Sequence, residues 1–95
     1  MRVATILSAE RVEGSEKLLR LCVSLGEEER QIIAGIGKKY NPEELTGKQI
    51  VIVANLEPRA LMGIESQSML LAADGSDGPV LLMPWQEVLA GIKIR

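Results

Sequence analysis

The chain has 95 residues, 46% hydrophobic and 25% charged, with a net charge of −2, no histidine and one cysteine, Cys22. This is a globular composition of a length that suits one small domain, and it excludes a histidine-based triad, a thiolate zinc cluster and an intrachain disulfide. The longest apolar runs, 50–54 and 69–73, fall far short of the roughly 20 residues a membrane helix needs, and no signal-peptide pattern follows Met1-Arg2, so a cytoplasmic protein with no membrane partner is expected.

Glycine, proline and polar clusters divide the chain into short elements. Val3 to Val12 reads as a strand, irregular near its end, and Glu13 to Lys17 as a turn. Over Leu18 to Leu25, Leu19, Leu21, Val23 and Leu25 alternate with Arg20, Cys22 and Ser24, which is the period of a half-buried strand. Gly26 and three glutamates make a turn into a second strand, Arg30 to Ala34. Asn41-Pro42-Glu43-Glu44 opens a short helix, with a capping residue, proline at the first position and carboxylates at the positive end of the dipole; Gly47 ends it. Lys48 to Ala54 is continuous and β-branched, a central strand. Asn55 to Gly63 reads as a loop, Ser66 to Ala73 as a strand, Asp74 to Gly78 as a hairpin turn and Val80 to Met83 as its return. Together these elements predict an all-β fold with a small inserted helix: a five-stranded OB barrel over about 1–75, followed by an extension over about 76–95. A split sandwich fits the order less well.

No catalytic constellation is present. The serines have no histidine partner, Glu27, Glu28 and Glu29 diverge as neighbours on a hairpin tip, and Cys22 sits in an alternating strand as a filler. Gly35-Ile36-Gly37-Lys38 lacks the spacing of a phosphate loop. No metal or cofactor is implied, and binding rather than turnover is expected. The charge is even along the chain, with seven basic and eight acidic residues in 1–47 and four and five in 48–95. Any basic surface is therefore assembled by folding, from Lys17, Arg20, Lys38, Lys39, Lys48 and Arg59. Only Tyr40 and Trp85 are aromatic, so a barrel of this composition has little platform for stacking single-stranded bases. Recognition of a folded RNA through phosphates and ribose remains open to it.

The stretch NLEPRALMGIESQSMLLAAD (Asn55 to Asp74) resembles the signature of the tRNA-binding domain found appended to methionyl-tRNA synthetases, as a freestanding structure-specific tRNA-binding protein, and in endothelial-monocyte-activating cytokine precursors. The segments ILSAERVEGSEKLL, SLGEEERQIIAGIGKKYNPEELTGK and IVIVANL carry the same likeness over nearly the whole chain. The resemblance implies an OB fold that grips the outer corner of the L-shaped tRNA without catalysis, a homodimer in freestanding forms, and as partners tRNA alone or tRNA together with methionyl-tRNA synthetase. By motif position it implies Lys17, Asn55, Arg59, Met62, Ser66 and Met69 as the RNA-binding residues, with Arg20, Lys38 and Lys39 as additional candidates. Lys17 and Arg59 would meet phosphates, Asn55 and Ser66 would hydrogen-bond phosphate or 2′-hydroxyl groups, and Met69 would offer an adaptable apolar contact. Glu57 and Ala60 stand where the family commonly has lysines, which lowers the positive potential beside Arg59, and Ser68 stands where it commonly has glycine. A related secretion-associated chaperone family with a similar barrel gives the alternative, a homodimer that binds peptides. Val80 to Met83, Trp85, Val88, Leu89 and Ile92 exceed what a small barrel needs to close, and are expected to cover one side of it and meet a symmetry mate.

Overall fold

The computed structural model describes residues 1–54, 57–61 and 63–95, with the backbone alone at Leu61. In chain order the elements are β1 (Arg2–Arg11), β2 (Leu19–Ser24), β3 (Glu29–Ala34), α1 (Pro42–Leu45), β4 (Gln49–Val53), β5 (Arg59–Leu61), β6 (Ile64–Ser66), β7 (Met69–Leu70), β8 (Ala72–Gly75) and β9 (Gly78–Leu81). Five strands form one antiparallel sheet in the order β3-β2-β1-β4-β7; β5 and β6, and β8 and β9, form two separate hairpins. The expected five-stranded barrel with a short helix between its third and fourth strands is present.

The alternation in β2 is the plainest cause of the fold. Leu19, Leu21 and Val23 are fully buried while Arg20, Cys22 and Ser24 are half-buried on the other face. They meet Ile6 from β1, Ile32 from β3 and Ile50 and Ile52 from β4 in one apolar core. β1 is long enough to serve two neighbours, pairing with β4 over Arg2 to Thr5 and with β2 from Thr5 to Arg11. Its irregularity lies mid-strand rather than near the end. The register shifts between Ile6 and Ser8, leaving Leu7 exposed. This bulge falls where the strand bends from one partner to the next around the barrel.

The expected loop over 55–63 and strand over 66–73 need correction. Arg59 to Leu61 and Ile64 to Ser66 form a hairpin, with Arg59 opposite Ser66 and Gly63 at φ +77°. The 66–73 stretch is not one strand but changes partner along its length, ending with Ala72 and Ala73 paired to β9. Ser66 and Gln67 bond sideways to β3, and Met69 and Leu70 then pair with β4. That change of partner closes the barrel between its two edge strands, and side chains do much of it. The Ser66 hydroxyl accepts from the Ile33 N–H at 3.0 Å and donates to the Ser68 carbonyl at 2.9 Å. Gln67 Oε1 accepts from the Gln31 N–H at 2.8 Å while Gln67 N–H donates to the Gln31 carbonyl at 2.8 Å.

The C-terminal segment returns to β1. Val3 N–H donates to the Ile92 carbonyl at 3.0 Å, Gly91 N–H to Val3 at 2.6 Å and Ile94 N–H to Met1 at 3.0 Å. It thereby occupies the stretch of β1 that β2 does not reach. Gln49 fixes it from the side, accepting from Val88 N–H at 3.0 Å and donating to the Val88 carbonyl at 2.6 Å. Gly91 has φ +89°, and a Cβ there would lie 1.9 Å from the Leu25 carbonyl oxygen, so only glycine permits this approach.

Candidate nucleic-acid interface

The β2–β3 hairpin continues beyond its strands. Leu19 pairs with Ala34, and the same register brings the 15–18 turn against 35–37, where Gly37 N–H donates to the Lys17 carbonyl at 2.6 Å. The turn is held from within, since the Ser15 hydroxyl accepts from the Leu18 N–H at 3.1 Å. Gly35 has no side chain, so the aliphatic stem of Lys17 lies over it; a Cβ there would sit 2.9 Å from Lys17 Cε. Gly37 is required more strictly, because its Cβ would meet the Glu16 carbonyl oxygen at 2.8 Å. Arg11, at the end of β1, donates to the Gly37 carbonyl at 2.9 Å and fixes the loop that carries Lys38 and Lys39.

The turn between β8 and β9 arrives at the same place. Lys17, Gly35, Ile36, Lys38, Lys39, Asp77, Gly78 and Pro79 surround an open cavity of about 390 Å³. Lys39 lies against Gly78, which has φ +119°, and its ammonium stands 5.9 Å from the centre of the Tyr40 ring. The Tyr40 hydroxyl accepts from Leu81 N–H at 3.1 Å and so ties β9 to the loop after β3. Folding therefore gathers Lys17, Lys38 and Lys39 around one concavity in a chain whose net charge is negative.

The other sequence candidates are placed differently. Arg59 is exposed on the β5–β6 hairpin, which packs beside β3. Met69 is half-buried opposite Val53. Arg20 is paired with Glu10 across the β1–β2 ladder, so its charge is offset and it does not line the cavity. Ser66 is buried with both hydroxyl functions engaged inside the protein, which makes it a barrel-closing residue in this state rather than an exposed donor. Asn55 and Met62 lie outside the described residues. Tyr40 is half-buried with its hydroxyl engaged, whereas Trp85 is fully exposed.

Two arginines that matter here were not singled out by the sequence. Arg11 is one. Arg30 is the other: its guanidinium donates to the Ala54 carbonyl, to the Ser68 hydroxyl at 3.2 Å and to Glu28 at 3.1 Å. It joins β3 to the end of β4 and to the turn before β7. Its one sequence signal is parity, because Arg30 shares the face of the buried Ile32. Ser68 thus has a definite use as an acceptor for that guanidinium.

Residues 1–93 match the family described as the putative tRNA binding domain. The chain belongs to that family. It is 60% identical over 95 residues to methionine–tRNA ligase of Methanothrix thermoacetophila, covering 100% of this chain and 14% of the ligase. It is 56% identical over 94 residues to the ligase of Thermotoga maritima, covering 99% and 15%. The chain thus spans about a seventh of the length of these curated relatives. Among solved structures, the methionyl-tRNA-synthetase-related protein of Pyrococcus horikoshii superposes with a TM-score of 0.91 at 39% identity, covering 99% of this chain and 87% of that one. The chaperone CsaA of Bacillus anthracis superposes with a TM-score of 0.89 at 37% identity, covering 99% and 88%. The OB-like barrel read from the strand order is the fold these relatives share. Among the described residues, no helix is long and apolar enough to cross a membrane.

Proposed function

We propose that this domain binds tRNA without catalysing a reaction, gripping the outer corner of the folded RNA, as a homodimer in the cytoplasm, either freestanding or as part of a methionyl-tRNA synthetase assembly. The observation that carries the reading is the convergence of Lys17, Lys38 and Lys39 on one cavity in a chain of this family. Ammonium groups on loops suit phosphate contacts that follow the shape of an RNA rather than its sequence. Arg59 extends the contact from the hairpin beside β3, and Asn55, Met62, Ser66 and Met69 complete the proposed set, with Ser66 acting through the barrel wall. Arg20 contributes only if its pair with Glu10 opens. The dimer rests on the C-terminal segment, whose Met83, Trp85 and Leu89 are exposed on the single chain.

Filter binding of bulk tRNA across a salt series tests the reading. Each neutralised phosphate contributes roughly 0.7–0.9 to the slope of log affinity against log salt. Replacing Lys17 and Arg59 together by alanine is expected to lower the slope by about 1.5 and the affinity at least tenfold. Unchanged binding in that double variant, or no binding at low salt, counts against the proposal.

The likeness to the chaperone favours a second reading, a peptide-binding dimer that uses the exposed apolar side chains. Peptide binding that tRNA fails to displace would select it.

A further inference from the structure

The cavity between the 35–39 loop and the β8–β9 turn holds charges of both signs, and no ion pair joins them. The ion pairs among the described residues are Arg20 with Glu10 and Arg30 with Glu28, so Asp77 pairs with none of Lys17, Lys38 and Lys39 although all four line the cavity. A cavity built only for phosphate has no use for a carboxylate, which accepts hydrogen bonds and repels anions. A ligand bearing an anion next to a hydroxyl donor matches both parts of the lining. In RNA that unit is a backbone phosphate beside a ribose 2′-hydroxyl. The volume, about 390 Å³, lies in the range of ligand clefts, about 300–1,000 Å³. The Ser66 hydroxyl is engaged inside the barrel wall, so a 2′-hydroxyl acceptor has to come from elsewhere on the surface.

We propose that this cavity seats one ribose–phosphate unit of the RNA backbone, with Lys17, Lys38 and Lys39 on the phosphate and the Asp77 carboxylate accepting from the 2′-hydroxyl. Asp77 then selects RNA over DNA at a point where sequence is not read. The inference rests on the tRNA-binding reading and names one subsite within it. Asp77 weakens phosphate attraction in general and recovers affinity only where a 2′-hydroxyl is present.

The test uses adenosine 3′-phosphate and its 2′-deoxy analogue as probes, followed by NMR shifts of the Gly35 and Gly78 amides in the intact chain. The ribonucleotide is expected to bind more tightly by about three- to tenfold, the worth of one hydrogen bond. D77A is expected to abolish that preference while tightening the deoxy analogue. D77N keeps an acceptor oxygen without the charge and is expected to retain part of the preference. D74A, on the same hairpin but outside the cavity lining, is expected to leave it unchanged. If D77A tightens both probes equally, Asp77 is only a repulsive charge and the proposal fails; it fails equally if neither probe shifts the two amides. Filter binding of tRNA by the same samples separates the two readings. Probe binding without tRNA retention keeps the subsite and removes the tRNA reading, whereas tRNA retention without amide shifts does the reverse.

Discussion

The barrel wall and the C-terminal segment are both rich in aliphatic residues, yet they use them in opposite ways. In β2 every second side chain is at 0% exposure, and the backbone bonds follow from strand pairing on both edges. In the C-terminal segment the backbone is tied to β1 and to Gln49, but Leu89 is 81% exposed and Trp85 wholly so. The wall is held by side-chain burial, which scales with apolar area. The segment is held by hydrogen bonds and one glycine approach, leaving its apolar side chains for another surface. Hydrophobic content alone thus does not say what a segment is for; the fraction buried in the single chain does.

The largest expected effect comes from the wall. Leu21→Ala removes a fully buried side chain and is expected to cost about 2–5 kcal/mol in urea unfolding. Leu89→Ala is expected to change the stability of the single chain by less than about 0.5 kcal/mol. Equal costs would erase the contrast between the two regions.

Next comes the tie between them. Gln49→Ala loses both bonds to Val88 and the 3.1 Å bond to Thr5, at an expected cost of about 1–3 kcal/mol. Hydrogen exchange is expected to quicken at the Gly91 and Ile92 amides while Leu21 keeps its protection. Uniform acceleration would mean that the segment is part of the wall's own cooperative unit.

How much of this was legible from sequence follows the same division. Leu19, Leu21 and Val23 announce their strand because burial on one face imposes period two. The order of strands around α1 was readable from other signals, the Asn41-Pro42 helix start and the continuous β-branched run at 50–54. The β5–β6 hairpin was not, since Arg59 to Ser66 carries no alternation and follows Pro58. Barrel closure through Ser66, Gln67 and Arg30 leaves little trace, because side chains there replace strand-to-strand bonds and any polar residue of suitable reach looks like surface. The meeting of Lys17 with Lys38 and Lys39 follows from extending the Leu19–Ala34 register. The arrival of Asp77 depends on the β8–β9 hairpin, which follows β7, folding against the loop after β3, and no local pattern encodes that contact.

The exposed face of the segment gives the next prediction. Trp85→Ala with Leu89→Ser is expected to leave the unfolding of the single chain nearly unchanged while converting the proposed homodimer to a monomer in sedimentation. Single-chain mass in the unmutated protein as well would show that these side chains face solvent or a different partner.

The smallest effect concerns the outer face of the wall, where Cys22 is half-buried and its thiol lies 3.6 Å from Glu29 Oε1. Burial, and after it the hydrogen bond and negative charge of Glu29, raise the thiol above its ordinary value of 9.0. The folded chain therefore favours the neutral thiol more than the unfolded chain does. Below the unfolded value both states hold the proton, and this group adds no pH dependence. As pH climbs past about 9 the unfolded chain ionises first, so stability declines until the folded thiol titrates in turn. The difference in stability between the unmutated chain and Cys22→Ala isolates this slope from everything the two chains share. That difference is expected to be flat at neutral pH and to turn against the unmutated chain above about pH 9. Alkylation by iodoacetamide at pH 8 reads the same shift independently, because the thiolate is the nucleophile. It is expected to be slower in the folded chain than in urea, and Glu29→Gln is expected to speed it, since the charge that disfavours the thiolate is gone. An unchanged rate in Glu29→Gln would leave burial as the sole cause.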